Sequence, residues 1–268
     1  HGISRILCIV AAVVGLLMSP LVGSQSTALA QGSPSAEQPK YGGVLRLAER
    51  EPPNLDPHLS ISFMPQNIGS LIYNGLVRFP YGHEQKSPYD LTILPDLAER
   101  WEYQDDRTVV FYLRKGVKFH NKPPVNGREL KAQDVKYSLE RFASKSGFRA
   151  RFDDVDRVEV VDDYTVKIKY DKPYAKVLWG FSVLPMWSPT ALKAAGEKFN
   201  QKPVGTGAYS VAEWVKGSHV KFVRNPNYPG IAAVQEHKGP AYLDSITIKY
   251  VGEDAVLGEV LGADPEVD

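Results

Sequence analysis

The sequence predicts a mixed α+β protein, and three features carry that reading. Runs of alternating apolar and polar residues mark strands, apolar residues at helical spacing mark short helices, and neither class dominates a long stretch. With 268 residues, 43% hydrophobic and 24% charged, the chain has ample length to bury a core and the composition of a globular protein. It has no internal repeat and no long low-complexity tract.

The first 30 residues stand apart. Arg5 precedes an apolar run of 13 residues, Ile6 to Met18, and a small-residue stretch ends in Ala28-Leu29-Ala30. A positive start, a short apolar middle and an A-x-A end predict a secretory signal peptide at 1–30, cleaved near Ala30-Gln31. The run falls short of the roughly 20 apolar residues a membrane-spanning helix needs. Cys8, the single cysteine, lies inside this segment after Ile6-Leu7, not after the small residue that lipoprotein cleavage requires. The mature chain is therefore expected to enter an oxidising compartment without disulfides and to depend on its core. Without Arg5 its 31 basic and 31 acidic residues balance, so bulk charge points neither to nucleic acid nor to a membrane surface.

Each later element has its own signal. Residues 31–40 form a polar Ser/Pro/Gln lead, predicted disordered. Val44, Leu45 and Leu47 in VLRLAE fit a half-buried strand, and EPPNLDPH (51–58) fits a loop. In NIGSLIYNGLVR, Ile68, Leu71, Ile72 and Leu76 recur on one helical face. RTVVFYLR (107–114) is β-branched and aromatic, as strands are. Val135, Leu139 and Phe142 mark a helix in KAQDVKYSLERFA, with Lys136 and Glu140 one turn apart. RVEVV, Asp162-Asp163 and YTVKIKY predict a hairpin in which Val166, Ile168 and Tyr170 alternate with Lys167 and Lys169. Ser188-Pro189 reads as the N-cap and first turn of another short helix, TALKAAGEKF. YSVAEW, HVKFVRN and SITIKYV read as strands.

The stretch KPVGTGAY (202–209) poses a chemical question, because glycine pairs cradle phosphates in nucleotide-binding enzymes. A dinucleotide loop needs a third glycine, whereas Gly205-Thr206-Gly207 runs into Ala208-Tyr209-Ser210. No Gly-Lys-Ser/Thr follows, and the next element is a strand, so no helix N-terminus receives an anion. Other catalytic patterns are near misses. GFSVL (180–184) lacks the second glycine of a nucleophile elbow, and His83-Glu84 lacks the second histidine of a zinc helix. The six histidines are scattered, and Asp153, Asp154 and Asp156 lack the glycine and glutamate of a calcium loop. Paired carboxylates for glycoside cleavage meet only in the fold and stay open. The residues predict no cofactor, no metal and no nucleic-acid partner, and they do not argue for an enzyme.

Several stretches then fall into one pattern. They are GGVLR (42–46), PNLDPH (53–58), IYNGLVRF (72–79), LPDLAERWE (94–102), FYLRKGVKFHNKPPVNGRELKAQDVKYSLER (111–141), VEVVDDYTVKIKY (158–170), KPVGTGAYSVAEW (202–214) and VKFVRNPNY (220–228). In this order, from about Tyr41 onward, the chain resembles the family 5 extracellular solute-binding proteins, the peptide/nickel receptors of ABC importers. One departure lies at Lys131-Ala132-Gln133-Asp134-Val135, where the family often places a threonine cap. Losing a hydroxyl cap costs about 1 kcal/mol unless a neighbour replaces it.

The resemblance implies a type II periplasmic-binding-protein lobe at 41–73 and 190–268, with an inserted α+β domain at 74–189. Family chains are roughly twice as long and two-lobed, and this sequence stops about where they cross into the second lobe. It also implies a periplasmic receptor, a monomer at full length, that delivers a peptide or similar solute to a membrane permease. Ser62, Phe63 and Met64 would line the ligand, with Gly205, Thr206 and Gly207 in a tight turn near the cleft. A non-transporting remnant of such a receptor and a secreted hydrolase are the alternatives.

Overall fold

The computed structural model describes residues 40–59, 63–80, 84–147, 149–173, 186, 203–230 and 241–252, and only the backbone of 63–67. These residues belong to one compact unit, Pro39–Asp268. The signal segment, the polar lead up to residue 39, Trp179, Trp187 and the helix expected after Ser188 lie outside the described residues.

Strand β1 (Val44–Glu49) is followed by helix α1 (Phe63–Ile72) and by two short strands, β2 (Val77–Arg78) and β3 (Leu94–Pro95). β4 (Ala98–Asp105), β5 (Thr108–Leu113), helix α2 (Ala132–Lys145), β6 (Val155–Asp162) and β7 (Thr165–Tyr170) come next. β8 (Tyr209–Val215), β9 (His219–Arg224) and β10 (Ser245–Tyr250) complete the order.

The strands assemble into two four-stranded sheets and the small β2–β3 pair. The first sheet has the order β1-β10-β9-β8, with β1 parallel to β10 and the other pairs antiparallel. It thus joins a strand from the start of the described chain to strands from its end. The second, fully antiparallel, has the order β4-β5-β7-β6 and comes from the middle of the sequence.

In the second sheet β7 follows its sequence pattern closely. Val166, Ile168 and Tyr170 are buried while Lys167 and Lys169 are partly exposed. Asp162 turns the hairpin by accepting a hydrogen bond from the Tyr164 amide at 2.7 Å. Helix α2 lies on β6 and β7, with Val135, Leu139 and Phe142 inward and the expected Lys136–Glu140 ion pair outward at 2.6 Å. Lys131 is its N-cap, and an ammonium cannot accept from an amide. Asp134 supplies the other half of a capping box, taking the Lys131 N–H at 2.9 Å, and also holds both arms of Arg128 at 2.6 and 2.8 Å.

Two readings need correction. The first strand was expected half-buried, yet Leu45 and Leu47 are 39% and 41% exposed. They stand in register with buried Ile246 and Ile248, but β1 is an edge strand, so the apolar face thins out there. The first helix does not run on to Leu76. It ends at Ile72, and Leu76 is buried in the turn leading to β2. The reason is tertiary: the Ile72 carbonyl accepts the Gly207 N–H at 2.8 Å from far along the chain, and Asp96 takes the Gly75 amide at 3.0 Å.

Candidate functional site

Helix α1 joins the two groups of residues singled out in the sequence. Phe63 and Met64 open it, and the Gly205-Thr206-Gly207 turn closes its far end. Ten helical residues rise about 14 Å, so the two groups occupy opposite ends of one helix and do not converge. Ser62 and the side chains of Phe63 and Met64 lie outside what is described.

The glycine turn is fully buried and built for close approach. A Cβ on Gly205 would stand 2.1 Å from the Ile72 carbonyl oxygen and 2.5 Å from the Tyr73 ring. One on Gly207 would stand 2.5 Å from the Leu71 oxygen and 2.5 Å from the Ile72 carbonyl carbon. Glycine is needed here for space, since neither residue adopts a positive φ. The close approach lets Gly207 donate to Ile72, satisfying one of the carbonyls that a helix end leaves without an intrahelical partner.

Polar side chains from distant stretches hold this turn. His120 is 1% exposed. Its Nδ1 faces the Gly205 N–H at 3.3 Å, and its Nε2 faces the Gly207 oxygen at 3.0 Å. An amide can only donate, so Nδ1 accepts and the proton sits on Nε2. Burial pushes the imidazole down to about 4, with the nearby Lys122 charge acting the same way and the Gly207 contact opposing both. The ring is therefore neutral. The His120 amide also donates to the Gly205 oxygen at 2.8 Å, while Asn225 Nδ2 reaches the Gly207 oxygen at 3.0 Å. Lys122, two residues on, donates to the Val211 carbonyl of β8.

Thr206 carries the network onward. Its hydroxyl donates to Asn74 Oδ1 at 2.9 Å, and Asn74 Nδ2 donates to Asp96 Oδ1 at 3.0 Å. Asp96 also accepts the Gly75 amide, and its own carbonyl takes Arg114 Nε at 2.7 Å. Burial pushes the Asp96 carboxyl up to about 7, against the Gly75 amide, Arg78, Asn74 and Arg114, which favour its charged form. The Met186 amide donates to the Asn74 oxygen at 2.9 Å.

None of His120, Asn74, Asp96 and Asn225 was singled out in the sequence, although each lies inside a stretch that carried the resemblance. The signal they offered was a polar residue beside glycine, proline or a buried apolar neighbour, as in IYNGL and LPDLA. Among the described residues no group of three or more His, Cys, Asp or Glu side chains could hold a metal ion. The hydrogen bonds of Gly205, Gly207 and the Thr206 hydroxyl all run to groups inside the fold, so the cluster fixes backbone positions.

Residues 92–264 match the family model "Bacterial extracellular solute-binding proteins, family 5 Middle". The chain belongs to this family. The dipeptide-binding protein of Escherichia coli (strain K12) is 31% identical over 207 residues, covering 68% of this chain and 37% of that protein. Among solved structures, the periplasmic binding protein DppA from Helicobacter pylori, in complex with the peptide STSA, superposes with a TM-score of 0.67. It shows 26% identity over 83% of this chain and 45% of that one. NikZ from Campylobacter jejuni, in complex with Ni(L-His), gives a TM-score of 0.63 and 26% identity over 83% of this chain and 42% of that one. These neighbours are type II periplasmic binding proteins, and this family 5 chain spans less than half the length of each.

Proposed function

We propose that the chain is the first lobe and inserted domain of an extracytoplasmic receptor that delivers a peptide, or a solute of similar size, to an ABC-importer permease. The carrying observation is the family match across 92–264, together with the 31% identity to a dipeptide-binding protein. The lobe comprises 41–73 and 190–268, and the insert 74–189. In support, the first sheet draws its strands from both flanks and the second from the middle, while Asn74 and Met186, at the two crossings, are hydrogen-bonded. Residues 1–30 act as the export signal, which puts the mature protein in the periplasm.

Ser62, Phe63 and Met64 line the solute, and the Gly205-Thr206-Gly207 turn sets the far end of the helix that carries two of them. Backbone at the start of α1 suits an extended peptide, because main-chain hydrogen bonds do not depend on side-chain identity. The receptor performs no bond chemistry. Contacts made better in the closed than in the open form shift the hinge equilibrium by their difference in free energy. The test is calorimetry of the complete receptor against a panel of dipeptides, tripeptides and Ni(L-His). Saturable binding of a peptide, weakened about tenfold or more by Phe63→Ala, supports the reading, and exclusive binding of the nickel chelate replaces the peptide with a metal complex.

A further inference from the structure

The loop before α1 is a second buried polar junction, separate from the glycine turn. Three consecutive residues face alternate partners. Asp56, 2% exposed, holds Arg141 of α2, with Nη2 at 2.6 Å from Oδ2 and Nη1 at 3.4 Å from Oδ1. The Pro57 ring lies against α1 at Gly69, where an added Cβ would meet Pro57 Cγ at 3.4 Å. His58 sets its ring edge-on to Phe142, next to Arg141 on α2, at 5.3 Å between centroids. The loop is wound tightly around the carboxylate. Asp56 accepts the His58 amide at 2.9 Å, its own amide is held by Asn54 at 2.8 Å, and its carbonyl takes the Leu59 amide at 3.1 Å.

The pair is not needed for burial. Taking a carboxylate and a guanidinium out of water offsets much of their attraction, so the pair is weak evidence for stability. A forked guanidinium on a carboxylate fixes both distance and orientation. The geometry fixed here is that of α2 against the loop, and through Pro57 and Gly69 that of the loop against α1. Helix α1 has neither an acidic residue in its first turn nor a basic one in its last, so charge at its own ends does not set its position.

We infer that Asp56 and Arg141 are positioning residues for the solute-carrying helix, transmitting the placement of α2 to α1 through the Pro57–Gly69 contact. The inference rests on the proposed role of Phe63 and Met64 at the start of α1. It goes beyond that role by making affinity depend on a side chain of the inserted domain that touches no solute.

Hydrogen–deuterium exchange on the complete receptor tests the positioning claim without any ligand. In Arg141→Met and Asp56→Asn, the amides from Ile68 to Tyr73 should exchange about tenfold faster, while those of β8, β9 and β10 stay within about twofold of wild type. Arg141→Lys, which keeps the charge and loses the fork, should fall between. If Arg141→Met does not fold, the double variant Asp56→Asn/Arg141→Met, which buries no unpaired charge, takes its place. Unchanged α1 protection in a folded variant overturns the inference, and so does a uniform rise across the molecule. Titration with alanyl-phenylalanine forms the second arm, where wild type binds and Arg141→Met is weakened about tenfold. A wild type that binds none of this dipeptide counts against the peptide reading, while the exchange data still decide the role of the pair. Wild-type affinity in a variant whose α1 has loosened overturns the link to the solute.

Discussion

Gly205 and Gly207 are the two positions where a single methyl group does most damage. Each Cβ would meet main-chain atoms of α1 at 2.5 Å or less, and backbone cannot swing aside as a flexible side chain can. Gly205→Ala and Gly207→Ala should each cost about 3 kcal/mol or more, read as a fall in the urea midpoint. Gly252→Ala is the control, because an added Cβ there meets none of the described residues within 4 Å and the φ is not positive. A similar urea midpoint for all three would contradict the close-approach argument. Nothing in the run KPVGTGAY announces which backbone presses on the glycines, since Ile72 lies more than a hundred residues away. The resemblance implied a tight turn here, and the end of α1 is what excludes side chains from it.

The two perturbed groups of the same cluster give opposite pH dependences. Asp96 rises from 3.8 to about 7, so its contribution to stability is full below 3.8 and is lost as pH climbs through 7. His120 falls from 6.5 to about 4, so its contribution is present above 6.5 and is lost as pH drops through 4. The windows overlap and the slopes oppose, so these two contributions nearly cancel between about pH 4.5 and 6.5. His120→Gln should unmask the Asp96 slope, with the melting temperature rising on acidification. Asp96→Asn should unmask the reverse. Melting curves across this range check both signs, and parallel profiles in the two variants would refute the assignment.

At the scale of elements, periodicity located β5, β6, β7 and α2, whose neighbours are local, and it left β4 unread. β7 pairs with both β5 and β6, and α2 lies over β6 and β7, so period-2 and period-3.6 patterns find their partners nearby. β1 and the end of α1 resisted the same logic. An edge strand can be apolar without being covered, and a helix can stop where a distant amide takes its last carbonyl. The cap of α2 is an intermediate case, because Asp134 was visible three residues after Lys131, while its bond to Arg128 was not. Asp134→Ala removes the acceptor for Lys131 and leaves Arg128 half-buried without its carboxylate. It should cost about 2–3 kcal/mol, seen as a lower denaturation midpoint, while Glu140→Ala, which removes the exposed partner of the Lys136 ion pair, should cost under about 1 kcal/mol. Equal losses would mean that the cap is carried by something other than Asp134.

At the scale of the whole molecule, two groups of buried polar residues flank α1. Asp56–Arg141 holds the loop before it, and the network of His120, Thr206, Asn74 and Asp96 holds its end. Several of the stretches that carried the family resemblance meet around this helix: PNLDPH, IYNGLVRF, LPDLAERWE, KFHNKPP, SLER and KPVGTGAY. Their order along the chain was legible, and their convergence was not, because pairs such as Asp56 and Arg141 are 85 residues apart. The chain spans 37% of the length of the E. coli dipeptide-binding protein. A solute held between two lobes loses one wall when only this part is present, so the isolated 268-residue chain should bind peptides far more weakly than the complete receptor. Calorimetry of the isolated chain returning sub-micromolar peptide affinity would sink that expectation.

The most direct test of the receptor assignment is native mass spectrometry of the complete protein, purified without denaturation from cells that make it. The account predicts a bound population heavier than the bare chain by the mass of a short peptide or similar solute, released intact on activation and displaced by an added dipeptide. A protein that carries no small molecule, and takes up none from a mixture of di- and tripeptides or Ni(L-His), would contradict it.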